Sequence, residues 1–314
     1  MEREIRDYSI TSREASGAPP TRSQNARAWL RAFRPLAQGN LAPFILIGAS
    51  EGATSGRAMG TVGVGLALLW GLMDHGVIVF ANDLADEQSD GASHGATLLS
   101  GGSRVLVEGL LRREDLARGL ILAAAGLVAV SAIGVARCPD RWAIFVFCTL
   151  SALALLYAYG NGPRLAYRGG GEWLQALGVG AVLPTVGAAF QSEHTFHLHF
   201  SSYAALVLFG LAGNFATSLP DAEDDAAVGK WSPAARLGVV PAFHIALALN
   251  ALAMVVAASS GHRACIIGLP LLAFSVLQMR FLRASCTRMR AVYPLAISGG
   301  AMVAAWAIEN LAKG

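Results

Sequence analysis

The segment Asn82-Asp83-Leu84-Ala85-Asp86-Glu87-Gln88-Ser89-Asp90 gathers four acidic side chains and an amide directly after an apolar run from Thr61 to Ala81. On a helix turning ~100° per residue, Asp83, Asp86 and Asp90 fall within about 60° of one another. They form one carboxylate face at the mouth of an apolar helix. Like charges placed this way repel unless a cation stands between them. Mg²⁺ takes oxygen ligands, keeps several waters and commonly bridges one or two carboxylates to substrate phosphates. Asp83, Asp86 and Asp90 suit that chemistry. Asn82 adds a neutral oxygen, or a hydrogen bond to a phosphate. The bland alternative is a solvated acidic loop, but ionisable groups that continue a membrane helix are expensive and usually functional.

A second acidic stretch, Pro220-Asp221-Ala222-Glu223-Asp224-Asp225, follows another apolar run and leads to Gly229-Lys230. Asp221 and Asp225 are four apart and share a helix face, with Asp224 beside them. Alone, this stretch reads equally well as a solvated loop or a ligand set. Paired with the first, it becomes the second half of a site in which Asp83, Asp86, Asp90, Asp221, Asp224 and Asp225 hold Mg²⁺ around a diphosphate. Lys230 reaches a phosphate just past the helix, or is an ordinary basic residue of a loop.

The elements that must position these groups are apolar. Of 314 residues, 54% are hydrophobic and only 14% charged. Soluble domains carry about 25% charge, and apolar runs of about 20 residues cross a bilayer. The chain therefore reads as an all-α polytopic membrane protein. Candidate spans are roughly 36–54, 61–82, 117–136, 142–160, 173–190, 201–219, 238–258, 264–282 and 292–310, nine in all. With the N-terminus in the cytoplasm, 19 of the 24 basic residues fall on the cytoplasmic side and 5 on the other. That asymmetry is the positive-inside pattern. It puts both acidic clusters, and the segments 104–118 and 164–168, on the cytoplasmic side of the cell membrane. Residues 1–25 are polar, with Pro19-Pro20, and read as a disordered cytosolic tail without a cleavable signal. Residues 26–314 read as one transmembrane domain. Membrane lipid is an expected partner and nucleic acid is not.

Other chemistry-bearing residues carry less. The four cysteines, Cys138, Cys148, Cys265 and Cys286, have no CxxC spacing and read as small apolar side chains. His194, His197 and His199 lie in an outer loop away from the acidic clusters and read as loop residues. Asp74-His75 lies two turns deeper than Asn82; it lines a cavity or bonds a neighbouring helix. Tyr157, Tyr159 and Tyr167 offer ring faces to a cation, although Tyr157 reads first as an interfacial belt residue.

The first stretch resembles the N-D-x-x-D-x-x-x-D motif of the UbiA superfamily of intramembrane prenyltransferases, and the second its D-x-x-x-D motif. The continuation Gly229-Lys230 through Ala235-Arg236-Leu237-Gly238 is similar to that family's. So are Ser103-Arg104-Val105-Leu106-Val107-Glu108-Gly109 and the connection from Tyr159 to Glu172, both in the style of the menaquinone-type branch, the 1,4-dihydroxy-2-naphthoate prenyltransferases. The likeness runs from about Trp29 to about Asn310. It implies nine helices around a central cavity and Mg²⁺ as cofactor. A prenyl diphosphate would be the donor and an aromatic small molecule the acceptor, in quinone or secondary-metabolite biosynthesis. It adds Arg34, Arg104, Arg164 and Arg168 as substrate-binding candidates to Asn82, Lys230, Tyr159, Tyr167 and His75, which rest on the residues themselves. Two departures bear on the acceptor. Ala166 stands where many menaquinone-type relatives have Lys, and residues 91–103 lack the Arg-Pro pair of the ubiquinone branch. A terpene cyclase of the same superfamily, which ionises a prenyl diphosphate without an acceptor, is the alternative. A cation transporter would distribute polar groups on both sides of the midplane, whereas here they crowd on one.

Overall fold

The computed structural model describes residues 22–53, 60–92, 102–191 and 199–313, and among these every regular element is helical. Residues 1–21 of the expected tail, and His194 and His197, lie outside the described residues; Arg22 already begins a helix, earlier than the expected start at Ala26. That helix, α1 (Arg22–Phe33), buries Ala28 and Ala32 and exposes its arginines. It stops because Arg34 adopts a left-handed conformation (φ 48°, ψ 61°) and Pro35 opens α2 (Pro35–Gly52). Proline has no N–H to donate, so it suits a first turn and forbids continuation from the preceding helix.

The chain continues through α3 (Thr61–Ala85), a short α4 (Glu87–Ala92), α5 (Arg113–Arg137) and α6 (Trp142–Leu156). A π-helical turn, Tyr157–Asn161, extends α6, and the short α7 (Leu165–Arg168) follows. Next come α8 (Gly171–Leu177), a second π-turn (Gly178–Val182) and α9 (Leu183–Gln191) in one continuous rod. After α10 (Phe200–Ser218), two short helices, α11 (Ala222–Ala227) and α12 (Pro233–Leu237), lead to α13 (Val239–Ser259). A 3₁₀ stretch (Arg263–Gly268) precedes α14 (Leu269–Leu277), and α15 (Ser285–Lys313) closes the fold.

Among the described residues, seven helical stretches are long and apolar enough to cross a membrane: Thr61–Ala85, Arg113–Arg137, Pro139–Gly160, Gly171–Gln191, Phe200–Ser218, Val239–Ser259 and Thr287–Ala312. The first and eighth expected spans correspond to the shorter apolar helices Leu41–Gly52 and Arg263–Leu277. Pro43 lies inside α2 without ending it, and α14 is preceded by a 3₁₀ stretch and ends at Gln278.

Packing relies on small residues, as expected where lipid supplies no hydrophobic drive between helices. Helix α2 lies against α9 so closely that a Cβ on Gly48 would sit 1.9 Å from the Pro184 carbonyl oxygen, and one on Gly187 would sit 2.1 Å from that of Ile45. Only glycine allows this approach. Helix α3 packs on α5, and α10 on α13. One polar chain inside the bundle is paired throughout: Trp70 Nε1 donates to Ser131 Oγ at 2.8 Å, and Ser131 meets Thr149 at 2.6 Å. Outward-facing Leu122, Phe147 and Leu277 are more than 60% exposed, a surface suited to hydrocarbon.

Candidate active site

Both acidic stretches are continuations of long apolar helices, and both bend as they leave them. Helix α3 ends at Ala85; Asp86 (φ −96°, ψ 7°) forms a joint, and α4 resumes at Glu87. Helical hydrogen bonding survives across the joint, from Asp86 N to the Asn82 carbonyl and from Asp90 N to that of Asp86, each 2.8 Å. The carboxylates thus keep their shared face although the helix is not continuous. On the other side, Asp221 opens α11, and Asp225 N donates to the Asp221 carbonyl at 2.7 Å.

The two stretches line one cavity of about 200 Å³. Asn82, Asp83, Asp86 and Asp90 stand on one wall, Asp221, Asp224 and Asp225 on the other, with Arg34, Tyr159 and Lys230 among them. Arg34 donates to Asp83, which is almost fully buried and also accepts from the Ser103 hydroxyl. Asp86 accepts from Tyr167 Oη at 2.9 Å and from Lys230 Nζ at 3.2 Å, and Lys230 is 4.0 Å from Asp225. Gly102 (φ +64°) lies against Asp90, where a Cβ would be 2.1 Å from Oδ2.

Charge and burial set the proton affinities. Burial, reinforced by Asp86 and Asp83, pushes the Asp90 carboxyl up to about 6. Burial also raises Asp225, against the pull of Lys230. At Lys230 burial acts downward, but Tyr159, Asp86 and Asp225 together overcome it and hold the ammonium above its ordinary range. Among the described residues no three carboxylates already converge on one point as they would around a metal ion. Their charge is met instead by Arg34 and Lys230. The donor chemistry nonetheless fits a hard cation with an anionic ligand: the six aspartates and Asn82 of the two stretches share one cavity. In addition, Arg34 Nε is buried with no acceptor among the described residues, a donor left over for an anion.

The remaining candidates stand around this cavity rather than in it. Arg104 donates to the Asp90 carbonyl at 2.5 Å and lines a separate recess beside Glu87. Arg164 stacks on the Tyr167 ring at 4.3 Å, and Arg168 is exposed. Arg34, Arg104 and Arg164 are also the only described non-glycine residues with positive φ. Strained backbone of this kind concentrates at functional sites. His75 is buried outside the cavity, with Nε2 2.7 Å from the Phe33 carbonyl oxygen at the α1–α2 break. Glu223 leaves its cluster to pair with Arg288 of α15, which holds its carboxyl below the usual range. Ala166, the departure noted in the sequence, lines the cavity.

Sequence reasoning missed Glu172, Gln175, Asn214, Thr217 and Ser218, all of which line the cavity. A signal existed for three of them: Asn214, Thr217, Ser218, Asp221 and Asp225 recur at helical spacing, a polar stripe on an otherwise apolar helix.

Residues 41–298 match the model of the UbiA prenyltransferase family. No curated protein sequence matches the chain. Among solved structures, a UbiA homologue from Archaeoglobus fulgidus bound to GPP and Mg²⁺ superposes with a TM-score of 0.63 at 18% identity, over 91% of this chain and 99% of that one. The apo structure of a UbiA homologue from Aeropyrum pernix K1 gives 0.62 at 17% identity, over 87% and 97%. A structure described for digeranylgeranylglyceryl phosphate synthase in membranes gives 0.56 at 14% identity, over 92% and 99%. With the family pattern matched over most of its length and its two aspartate stretches meeting in one cavity, the chain belongs to the UbiA prenyltransferase family.

Proposed function

We propose that this protein transfers a prenyl group from a prenyl diphosphate to an aromatic acceptor inside the membrane, with Mg²⁺ as cofactor. The observation that carries this reading is the convergence of two aspartate stretches, Arg34 and Lys230 on one cavity at the end of an apolar bundle. The structural relatives solved with GPP and Mg²⁺, and with DMAPP and Mg²⁺, support it.

Asp83, Asp86, Asp90, Asp221, Asp224 and Asp225 would hold Mg²⁺, which when bound neutralises the departing diphosphate. Arg34, through its unpaired Nε, and Lys230 bind the phosphate oxygens, and Asn82 adds a neutral hydrogen bond. Tyr159 faces the cavity and offers its ring to the allylic cation. Tyr167 orients Asp86, and Arg164 in turn supports Tyr167. Arg104 fixes the backbone at Asp90, and His75 fixes the backbone before Arg34. Arg168 is an outer attraction for the anionic donor.

The apolar helices 22–313 act as one membrane domain with nine crossings, the two short helices included. The basic residues favour an N-terminus and active-site mouth in the cytoplasm, in the cell membrane. The isoprenoid tail enters from lipid while the diphosphate remains at the aqueous mouth. The test is turnover of farnesyl and geranylgeranyl diphosphates by the purified protein, with a panel of ring acceptors and without them, at varied Mg²⁺. Adduct formation that depends on Mg²⁺ and is lost in Asp83→Ala and Asp221→Ala supports transfer. Hydrocarbon release from the diphosphates alone identifies a cyclase instead.

A further inference from the structure

The deeper part of the cavity carries a feature that diphosphate binding does not use. Asn214 sits in α10, four residues or about 6 Å before the helix ends at Ser218. It is 8% exposed. Its Nδ2 donates to Gln175 Oε1 at 2.5 Å, and its Oδ1 is buried with no hydrogen-bond partner among the described residues. Both side chains line the cavity. An amide pair joined this way still presents an acceptor, Asn214 Oδ1, and a donor, the Gln175 amide N–H₂, beside the second N–H of Asn214 and the second lone pair of Gln175 Oε1. Turning both amides over exchanges the two roles and leaves the same complementary pair.

The charge around this pair is equally informative. The cavity's two cations, Arg34 and Lys230, are engaged with aspartates at its mouth. One turn from Gln175 on α8 stands Glu172, a buried carboxylate that also lines the cavity and is tied to Arg236 at 3.2 Å. Ala166 adds no charge. Arg34, Lys230 and Arg236 are each already paired with a carboxylate, so an anionic head group would meet no uncommitted cation here, whereas a neutral one meets a matched donor and acceptor.

We infer that the acceptor binds through a neutral polar head in which a hydrogen-bond donor lies beside an acceptor, as in a carboxamide or lactam, docked on Asn214 and Gln175. The inference rests on the prenyl-transfer reading and narrows it, since it excludes ring carboxylates as preferred acceptors. Desolvating Asn214 without a partner is unfavourable, and a ligand N–H or O–H removes that penalty. A site built to hydrogen-bond a substrate rejects analogues that lack the group far more strongly than an apolar pocket rejects a misfit.

The experiment uses matched ring pairs that differ only at the head, 4-hydroxybenzamide against 4-hydroxybenzoate and the corresponding hydroxynaphthamide against hydroxynaphthoate. Each is presented with farnesyl diphosphate and Mg²⁺ to the full-length protein in nanodiscs. The expected result is at least a tenfold higher kcat/KM for the amide of a pair. In Asn214→Leu and in Gln175→Leu the acceptor KM rises about tenfold or more, while the KM for farnesyl diphosphate stays within about twofold. Gln175 is exposed on its helix, so its variant keeps the test open if Asn214→Leu does not fold. Equal or better use of the carboxylates overturns the inference. So does prenylation of neither member of any pair while farnesyl diphosphate binds with Mg²⁺ dependence. Absence of that diphosphate binding in calorimetry would instead overturn the prenyl-transfer reading beneath it.

Discussion

Asp83 is the one aspartate of the two clusters that is almost wholly buried, and its carboxylate is gripped by Arg34 and Ser103. Asp83→Asn keeps the shape and removes the charge. Under the proposed reading it lowers single-turnover rates by on the order of 100-fold or more, the scale of losing one well-placed electrostatic contact. Asp90 makes a pH prediction. Its folded value is about 6 against an ordinary 3.8, so between those values the folded protein binds more protons than the unfolded chain. Its contribution to stability is therefore present at low pH and lost as pH rises through about 6. The Mg²⁺-free protein should lose melting temperature from pH 4.5 to pH 7, and added Mg²⁺ should restore more at pH 7 than at pH 5. Differential scanning fluorimetry reads both. The aspartates were legible in the sequence because carboxylates continuing an apolar helix need a reason to be there. Asn214 and Gln175 were not, because an amide in an apolar run does not reveal which way it faces. The left-handed backbone at Arg34, Arg104 and Arg164 was hidden too, since arginine has no preference for that region.

At the scale of elements, the α1–α2 break shows how a side chain outside the cavity governs one inside it. His75 holds the Phe33 carbonyl, Phe33 precedes Arg34, and Arg34 reaches Asp83. His75→Leu should raise the KM for the prenyl diphosphate severalfold with little change in helix content, because Arg34 loses its fixed origin. A drop in circular dichroism intensity instead would mark His75 as a packing residue alone. The long apolar runs made most helices readable, but not their irregularities. The π-turn at Tyr157–Asn161, which carries Tyr159 to the cavity wall, leaves no trace in hydropathy. π-Turns inside helices recur at functional sites, and here one extra residue re-aims a tyrosine. The α2–α9 contact is a second such case. Gly187→Leu would push a Cβ into the Ile45 carbonyl, a backbone atom that cannot swing aside. It should destabilise the bundle by about 3 kcal/mol, at the upper end for overpacking. Gly65→Leu, with nothing within 4 Å, should be tolerated, and detergent melting curves compare the two.

At the scale of the whole molecule, the fold brings together segments more than 130 residues apart in the chain, 82–90 and 221–230, at one end of the bundle. The two halves are tied across the mouth by Lys230 to Asp86, Arg236 to Glu172, and Trp231 N to the Ala166 carbonyl at 3.1 Å. Arg34 and Lys230 already neutralise part of the carboxylate charge, so the resting site is its own counter-ion. A divalent ion arriving alone must displace an arginine and a lysine, which are then left without an anion. A diphosphate arriving alone takes those cations and leaves the aspartates bare. Arriving together, each ligand accepts the groups the other releases. The two affinities are therefore linked, and linkage is reciprocal. Titration calorimetry should find Mg²⁺ tightening prenyl diphosphate binding by the same factor as prenyl diphosphate tightens Mg²⁺. On the proposed reading the mouth would work as a coincidence detector that admits ion and substrate as a pair.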